Sequence, residues 1–76
     1  MSSDADLRLA RAAVSALEWL QTHRAPRGGA VLKHEVERQI QECLVTLDRT
    51  GHVDIDTREN LWIALVSFAE YLDLIR

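Results

Sequence analysis

The longest apolar run of the chain extends from Leu61 to Ile75 and is interrupted only by Ser67, Glu70 and Asp73. Large apolar residues recur along it at helical spacing, namely Leu61, Leu65, Phe68, Leu72 and Ile75. Residues spaced in this way share one side of an α-helix. The pattern predicts a helix over about residues 57 to 75, with one side of that helix facing a core.

The opposite side of this third predicted helix is also apolar. Ile63, Val66 and Leu74 lie there, with Trp62 and Tyr71 on the flanks. A surface helix is normally polar on the side away from its core. Burying one large apolar side chain contributes about 1.5 to 3 kcal/mol, so several of them together rival the net stability of a small domain. We therefore expect this helix to associate with another chain, most simply with a second copy in a homodimer.

Two amphipathic segments precede it. The first is predicted to be a helix over residues 4 to 23, because Ser3 can cap it and Asp4 and Asp6 acidify its first turn. Its apolar surface consists of Leu9, Ala10, Ala13, Ala16, Leu17 and Leu20. Trp19 lies at the margin of the polar stripe, where it either packs at the edge of the core, the interpretation we favour, or anchors another chain.

The second segment predicts a helix over residues 30 to 49, ending at Gly51 as a C-terminal cap. Its apolar arc contains Leu32, Val36, Ile40, Cys43, Leu44 and Leu47, and its polar face contains Glu35, Glu37, Arg38, Gln39, Gln41 and Glu42. Between this helix and the third, Val53 and Ile55 alternate with polar residues, as in an extended connector. Asp56 or Thr57 is then the expected cap of the third helix.

These elements predict an all-α single domain over residues 1–76, a three-helix bundle with up-down-up connections, dimeric through or near the third helix. The chain has 76 residues, which is close to the size below which a core alone no longer stabilises a fold. The alternative to dimerisation is that both connectors fold over the third helix, for example with Val53 and Ile55, and cover its rear side.

The distribution of charge along the chain bears on whether the protein binds nucleic acid. Residues 1–50 hold seven acidic and seven basic residues, whereas residues 51–76 hold five acidic residues and only Arg58 and Arg76. Affinity for nucleic acid depends on clustered Lys and Arg, and a helix-turn-helix needs polar and basic residues on its second helix. Nucleic-acid binding by the third helix is therefore not expected. The single cysteine, the absence of a signal-peptide pattern and the lack of a long uncharged apolar stretch favour a cytoplasmic protein without a membrane span.

A basic, glycine-rich break, RAPRGG, separates the first two predicted helices. Pro26 disfavours helix at the residue before it, and the two glycines permit a reversal. The candidate anion-binding residues around the break are Arg24, Arg27, Gly28, Gly29, Lys33 and His34. A glycine-rich turn before a helix can hold a phosphate, but no Walker pattern or preceding strand is present, so we favour a flexible turn with solvated bases.

No catalytic or metal-binding pattern stands out. His23, His34 and His52 lie near different helix ends, without the spacing of a zinc site. Cys43 falls on an apolar arc, where a thiol is normally inert. We expect neither enzymatic activity, nor a bound metal, nor a cofactor.

The sequence thus favours a helical module that binds another protein, acting as an inhibitor or regulator of a larger complex. The analogy is with the short acidic helical inhibitors common in phages and bacteria, and it concerns build alone. The surface expected to mediate association comprises Trp62, Ile63, Val66, Leu74, Tyr71 and Trp19. Two alternatives remain: a small-ligand, phosphate or nucleotide binder that uses the basic turn, and a structural subunit of a larger assembly.

Overall fold

A computed structural model describes residues 4–76 of the protein. Its helices are α1 (Asp4–Thr22), α2 (Ala30–Thr50) and α3 (Ile55–Leu74), and the described part of the chain contains no strand. Each helix packs against both others in an elongated bundle of 42 × 19 × 19 Å. The all-α three-helix architecture predicted from the hydrophobic pattern is confirmed, with helix bounds within two residues of the expected ones.

Contacts at the two ends of the bundle give the direction of each helix. At one end, Arg58 in the first turn of α3 binds Asp6 in the first turn of α1. At the other end, the turn that leads into α2 shares a cavity wall with Tyr71 and Ile75 near the end of α3. Hence α1 and α3 run parallel to each other, and α2 runs antiparallel to both.

The core is made from all three helices. Its buried apolar side chains are Ala13, Ala16 and Leu20 from α1, Val36, Ile40 and Cys43 from α2, and Leu61, Ala64 and Tyr71 from α3. Leu9, Leu17 and Leu44 pack against this cluster and are partly buried. The apolar faces predicted for the first two helices are therefore the faces that pack, except that Leu32 at the start of α2 is 38 % exposed.

The buried face of α3 is rotated from the predicted one. Only Leu61 of the predicted line is completely buried, whereas Leu65, Phe68 and the residues after them on that line are partly exposed. The centre of the buried face runs instead through Ala64 and Tyr71. Because α1 and α2 contact α3 from two sides, the buried sector is wide, and its centre lies between them. The expectation that part of Tyr71 is left in water is wrong: its side chain is 1 % exposed.

The sequence correctly predicted the cap at the C-terminal end of α2 but not the cap at the N-terminal end of α3. Gly51 adopts a left-handed conformation with φ 75° and donates its N–H to Leu47 O at 2.8 Å, as expected of a C-terminal cap. The cap of α3 is neither Asp56 nor Thr57 but Asp54, whose Oδ1 accepts the Thr57 N–H at 2.7 Å. Thr57 lies inside the helix, and its side chain is buried against the bundle. The predicted cap of α1, Ser3, lies outside the described residues.

Two further expectations need correction. Of the two connector residues, Val53 packs against the core, but Ile55 belongs to α3 and is exposed, so the connector does not cover the rear of that helix with both. On α2, Glu37 and Gln39 are partly buried rather than facing away. Glu37 pairs with Lys33 at 3.3 Å, and both side chains are only 16 % exposed.

Candidate functional site

Three large apolar side chains lie exposed beside one another on α3. Trp62, Ile63 and Val66 are 63 %, 57 % and 46 % exposed, respectively. Residues three and four apart are neighbours on a helix surface, so Val66 lies one turn from both of the others. We call these three residues the α3 outer face. All three were among the residues expected to mediate association.

A groove between α1 and α3 adjoins this face. It has a volume of about 540 Å³, and its lining residues are Ala5, Asp6, Leu9, Arg58, Glu59, Trp62 and Ile63. Its lining includes the ion pair between Asp6 and Arg58, in which both nitrogens of one side of the guanidinium bind the carboxylate. The α3 outer face therefore continues into a concave surface with an apolar wall and a charged end.

Further along the same two helices lies a second apolar groove, of about 510 Å³. Its lining residues are Ala12, Ser15, Ala16, Trp19, Leu65, Phe68 and Leu72. Trp19 is half-buried and packs against the core, as expected of a residue at its margin. Its ring meets Phe68 edge to face at 5.8 Å between centroids and stacks on His23 at 4.0 Å. Trp19 thus forms one wall of the groove.

The remaining two residues expected at the association surface are placed elsewhere. Tyr71 is in the core and offers no side-chain surface to a partner. Leu74 is 71 % exposed, but it lies near the end of α3 beside the glycine-rich turn, two turns beyond Val66. The six predicted residues therefore do not form one surface.

Only some of the candidate anion-binding residues around the basic turn line the same cavity. A cavity of about 250 Å³ beside it is lined by Arg27, Gly28 and Gly29, together with Pro26, Leu32, Tyr71, Leu74 and Ile75. Arg24 and His34 are exposed and do not line this cavity. Lys33 pairs with Glu37. The turn lies between the N-terminus of α2, whose helix dipole favours an anion, and the C-terminal end of α3, whose dipole disfavours one.

Electrostatics near α2 is governed by one arginine. Arg38 binds Glu35 and Glu42 on either side of it along the exposed face of the helix. Its guanidinium holds the pKa of the Glu35 carboxyl below the usual value, and the two carboxylates raise the pKa of Arg38 in return. Burial raises the pKa of the Cys43 thiol, so less of it is thiolate than in a free cysteine. The shifts of Glu35 and Arg38 follow from ion pairing within α2, and that of Cys43 follows from its burial in the core.

Two features are absent from residues 4–76, the part of the chain that the structure describes. No group of three or more His, Cys, Asp or Glu side chains is arranged to hold a metal ion. None of the three helices is both long and apolar enough to cross a membrane.

Sequence reasoning missed the pairings between helices. Asp6 and Arg58 are 52 residues apart in the chain, and nothing in the local pattern of either indicates the other. It also missed a polar pocket between α2 and α3, since Gln39 was assigned to the solvated face. A weak signal existed, because Gln39 and Cys43 are four residues apart and therefore share a side of α2 with the core.

The structure thus identifies the α3 outer face and the grooves beside it as the candidate site. Comparison of the chain with protein-family models, with curated proteins and with solved structures finds no match, so similarity assigns it to no family.

Proposed function

We propose that this protein is a protein–protein interaction module and that a second copy of the chain covers the α3 outer face in a homodimer. The observation that carries the proposal is the exposure of Trp62, Ile63 and Val66 next to one another on a single helix. Contiguous apolar surfaces of this kind on soluble proteins mark sites of interaction.

The energetic argument is a comparison of magnitudes. Removing apolar surface from water stabilises by about 25 cal/mol per Å², or about 1.5 to 3 kcal/mol for a whole large side chain. The net stability of a domain of this size is about 4 to 11 kcal/mol. Covering three such side chains in each copy is therefore a large gain on the scale of the fold. A two-fold axis places the same surface of both copies in contact, so one patch serves both sides of the interface.

We further propose that the module acts on a larger protein, as an inhibitor or regulator of a complex. The concave groove formed with Ala5, Leu9 and Arg58 supports this, because it extends the apolar surface from α3 onto α1. Interfaces with other proteins typically bury about 800 Å² per partner, more than three side chains alone provide.

Sedimentation of matched variants tests the homodimer. Val66→Glu places a charge in the α3 outer face, and Val45→Glu makes the same substitution at an exposed site on α2. We expect the wild type and Val45→Glu to sediment as dimers and Val66→Glu as a folded monomer, with circular dichroism reporting the fold. A wild type that remains monomeric at several hundred micromolar, or a dimer that Val66→Glu leaves intact, contradicts the proposal.

The same two variants test for the larger partner. A protein recovered from a cell lysate by immobilised wild type and by Val45→Glu, but not by Val66→Glu, is the expected result. If no protein shows that pattern in repeated experiments, the inhibitor or regulator role is wrong, whatever the oligomeric state.

A further inference from the structure

The cavity beside the glycine-rich turn lies at the end of the bundle where α2 begins and α3 ends. Its volume is about 250 Å³, enough for about eight water molecules at about 30 Å³ each. Apolar side chains line it on several sides, namely Pro26, Leu32, Leu74 and Ile75. The cavity therefore fits a compact molecule with an apolar body.

Tyr71 also lines this cavity, with a side chain that is only 1 % exposed. Its hydroxyl forms no hydrogen bond with any of residues 4–76. Among these residues, the unpartnered polar side-chain atoms that are closed to solvent belong to Glu37 and Gln39, so the Tyr71 oxygen remains open to the cavity. A buried tyrosine hydroxyl normally has a hydrogen-bond partner, because leaving it without one is unfavourable. The missing partner is a group that enters the cavity.

The charges around the cavity favour an anion as that group. Arg27 has no ion-pair partner among the described residues, and none of the described residues that line the cavity is acidic. Gly29 caps α2 without a side-chain hydrogen bond, so the first N–H groups of that helix are available. The dipole of α3 opposes an anion, but each helix dipole amounts to about half a charge, and the two offset each other. The full positive charge of Arg27 therefore decides the sign.

We propose that this cavity binds a small carboxylate with an apolar body. The Tyr71 hydroxyl donates to one carboxylate oxygen, the Arg27 guanidinium pairs with the charge, and the apolar body lies against Leu32 and Leu74. Inorganic phosphate is a poorer match, because it has no apolar part that would remove these side chains from water. The site lies two turns from Val66 and does not depend on the proposed homodimer.

The experiment titrates isotope-labelled protein at pH 7 with 4-methylpentanoate, a branched carboxylate of suitable size, and follows the protein signals by NMR. We expect saturable shifts in the millimolar range at the amides of Gly28 and Gly29 and at the methyl groups of Leu32 and Leu74. Two control compounds each lack one half of the probe: 4-methylpentan-1-ol has no charge, and acetate has no apolar body. Each should bind about five- to tenfold more weakly.

Three variants test the polar contacts. Tyr71→Phe removes only the hydroxyl and should weaken the binding of 4-methylpentanoate about five- to tenfold. Its melting temperature without ligand should not fall, because the hydroxyl has no partner to lose. Arg27→Gln should weaken binding about two- to fivefold, the effect of removing one exposed charge. Arg24→Gln makes the same change of charge at an exposed side chain that does not line the cavity, and it should leave the affinity unchanged.

Four results would overturn the proposal. The first is no saturable shift at the residues of the cavity, and the second is binding of acetate or inorganic phosphate as tight as that of 4-methylpentanoate. The third is the wild-type affinity in Tyr71→Phe. The fourth is an equal loss of affinity in Arg27→Gln and Arg24→Gln, which would show a general effect of charge rather than a contact in the cavity.

Discussion

Arg58 binds Asp6 through two hydrogen bonds, from Nε to Oδ1 at 2.8 Å and from Nη2 to Oδ2 at 3.1 Å. The carboxylate is buried at 5 % exposure, and about half of the arginine side chain is in water. The two residues are 52 positions apart in the chain and join the first turns of α1 and α3. It therefore fixes the parallel alignment of α1 and α3 and, with it, the groove beside Trp62.

We predict that Arg58→Ala destabilises the fold through loss of these two charge-assisted hydrogen bonds. The expected cost is about 1 to 3 kcal/mol, because the truncation takes the arginine away from a buried carboxylate, and each kcal/mol lowers the melting temperature by about 4 to 8 °C in a domain of this size. Thermal unfolding followed by circular dichroism measures it. The comparison is Arg38→Ala, which removes an exposed arginine that binds only carboxylates of its own helix and should have a smaller effect. An equal or larger loss of stability in Arg38→Ala would show that the contact of Arg58 with α1 contributes no more than an ion pair within one helix.

A second prediction concerns Tyr71, which the hydrophobic pattern placed on a flank and the structure places in the core. Tyr71→Ala should cost about 3 to 5 kcal/mol, the range for removing a large buried aromatic side chain. Leu74→Ala, three residues further on at an exposed site, should change the stability by less than about 0.5 kcal/mol. Urea unfolding of both variants gives the two values. Similar losses of stability in the two variants would contradict the burial of Tyr71.

The contrast between these neighbours shows what a hydrophobic pattern can and cannot predict. Helical period, the glycine cap at Gly51 and the break at Pro26 are local properties, so the three helices and the packed faces of α1 and α2 were predictable. On α3 apolar residues occur all round the helix, so the helical period alone does not predict which of them are buried. The choice is made by the two neighbouring helices, which pack over the side of α3 that carries Ala64 and Tyr71.

The candidate site was predictable to a similar extent. The exposure of Ile63 and Val66 followed from their predicted position opposite the core. Trp62 and Tyr71 were both placed on the flanks, and only the packing of the helices exposes the first and buries the second. The pocket between α2 and α3 was not predictable from the sequence, because it depends on the axial position of one helix relative to the other. Asp54 was also not predictable as the cap, because Asp54, Asp56 and Thr57 lie close together in the chain and all have side chains that can cap a helix.

A third prediction uses the pH dependence of this cap. Hydrogen bonds from Thr57 lower the pKa of Asp54 below its usual value of 3.8. A carboxyl with a lowered pKa in the folded state stabilises the fold fully above its unfolded value and loses that contribution as the pH falls through the folded value. The stabilisation by ionised Asp54 should therefore be present at neutral pH and disappear below about pH 3.8.

The measurement compares melting temperatures of the wild type and Asp54→Asn between pH 7 and pH 2.5. Asparagine also caps helices but does not titrate, so any advantage of the wild type should shrink only in the acid range. Asp56→Asn removes an exposed acid of the same turn that caps nothing. Two results would contradict the assignment of Asp54 as the cap. One is a difference in melting temperature between the wild type and Asp54→Asn that stays constant with pH, and the other is an equal shrinkage of that difference in Asp56→Asn.

The last prediction follows from the different environments of the two tryptophans. In Trp19→Phe the only remaining tryptophan is Trp62, whose ring lies on the α3 outer face and is largely in water. If a second copy covers this face, the emission of Trp62 should move to shorter wavelength as the protein concentration rises, over the range in which sedimentation detects the dimer. In Trp62→Phe the emission comes from Trp19, which already packs against Phe68, and it should change little with concentration. Emission of Trp62 that stays at the wavelength of a solvated indole in a dimeric protein would place the interface elsewhere, because an interfacial tryptophan loses its water on association.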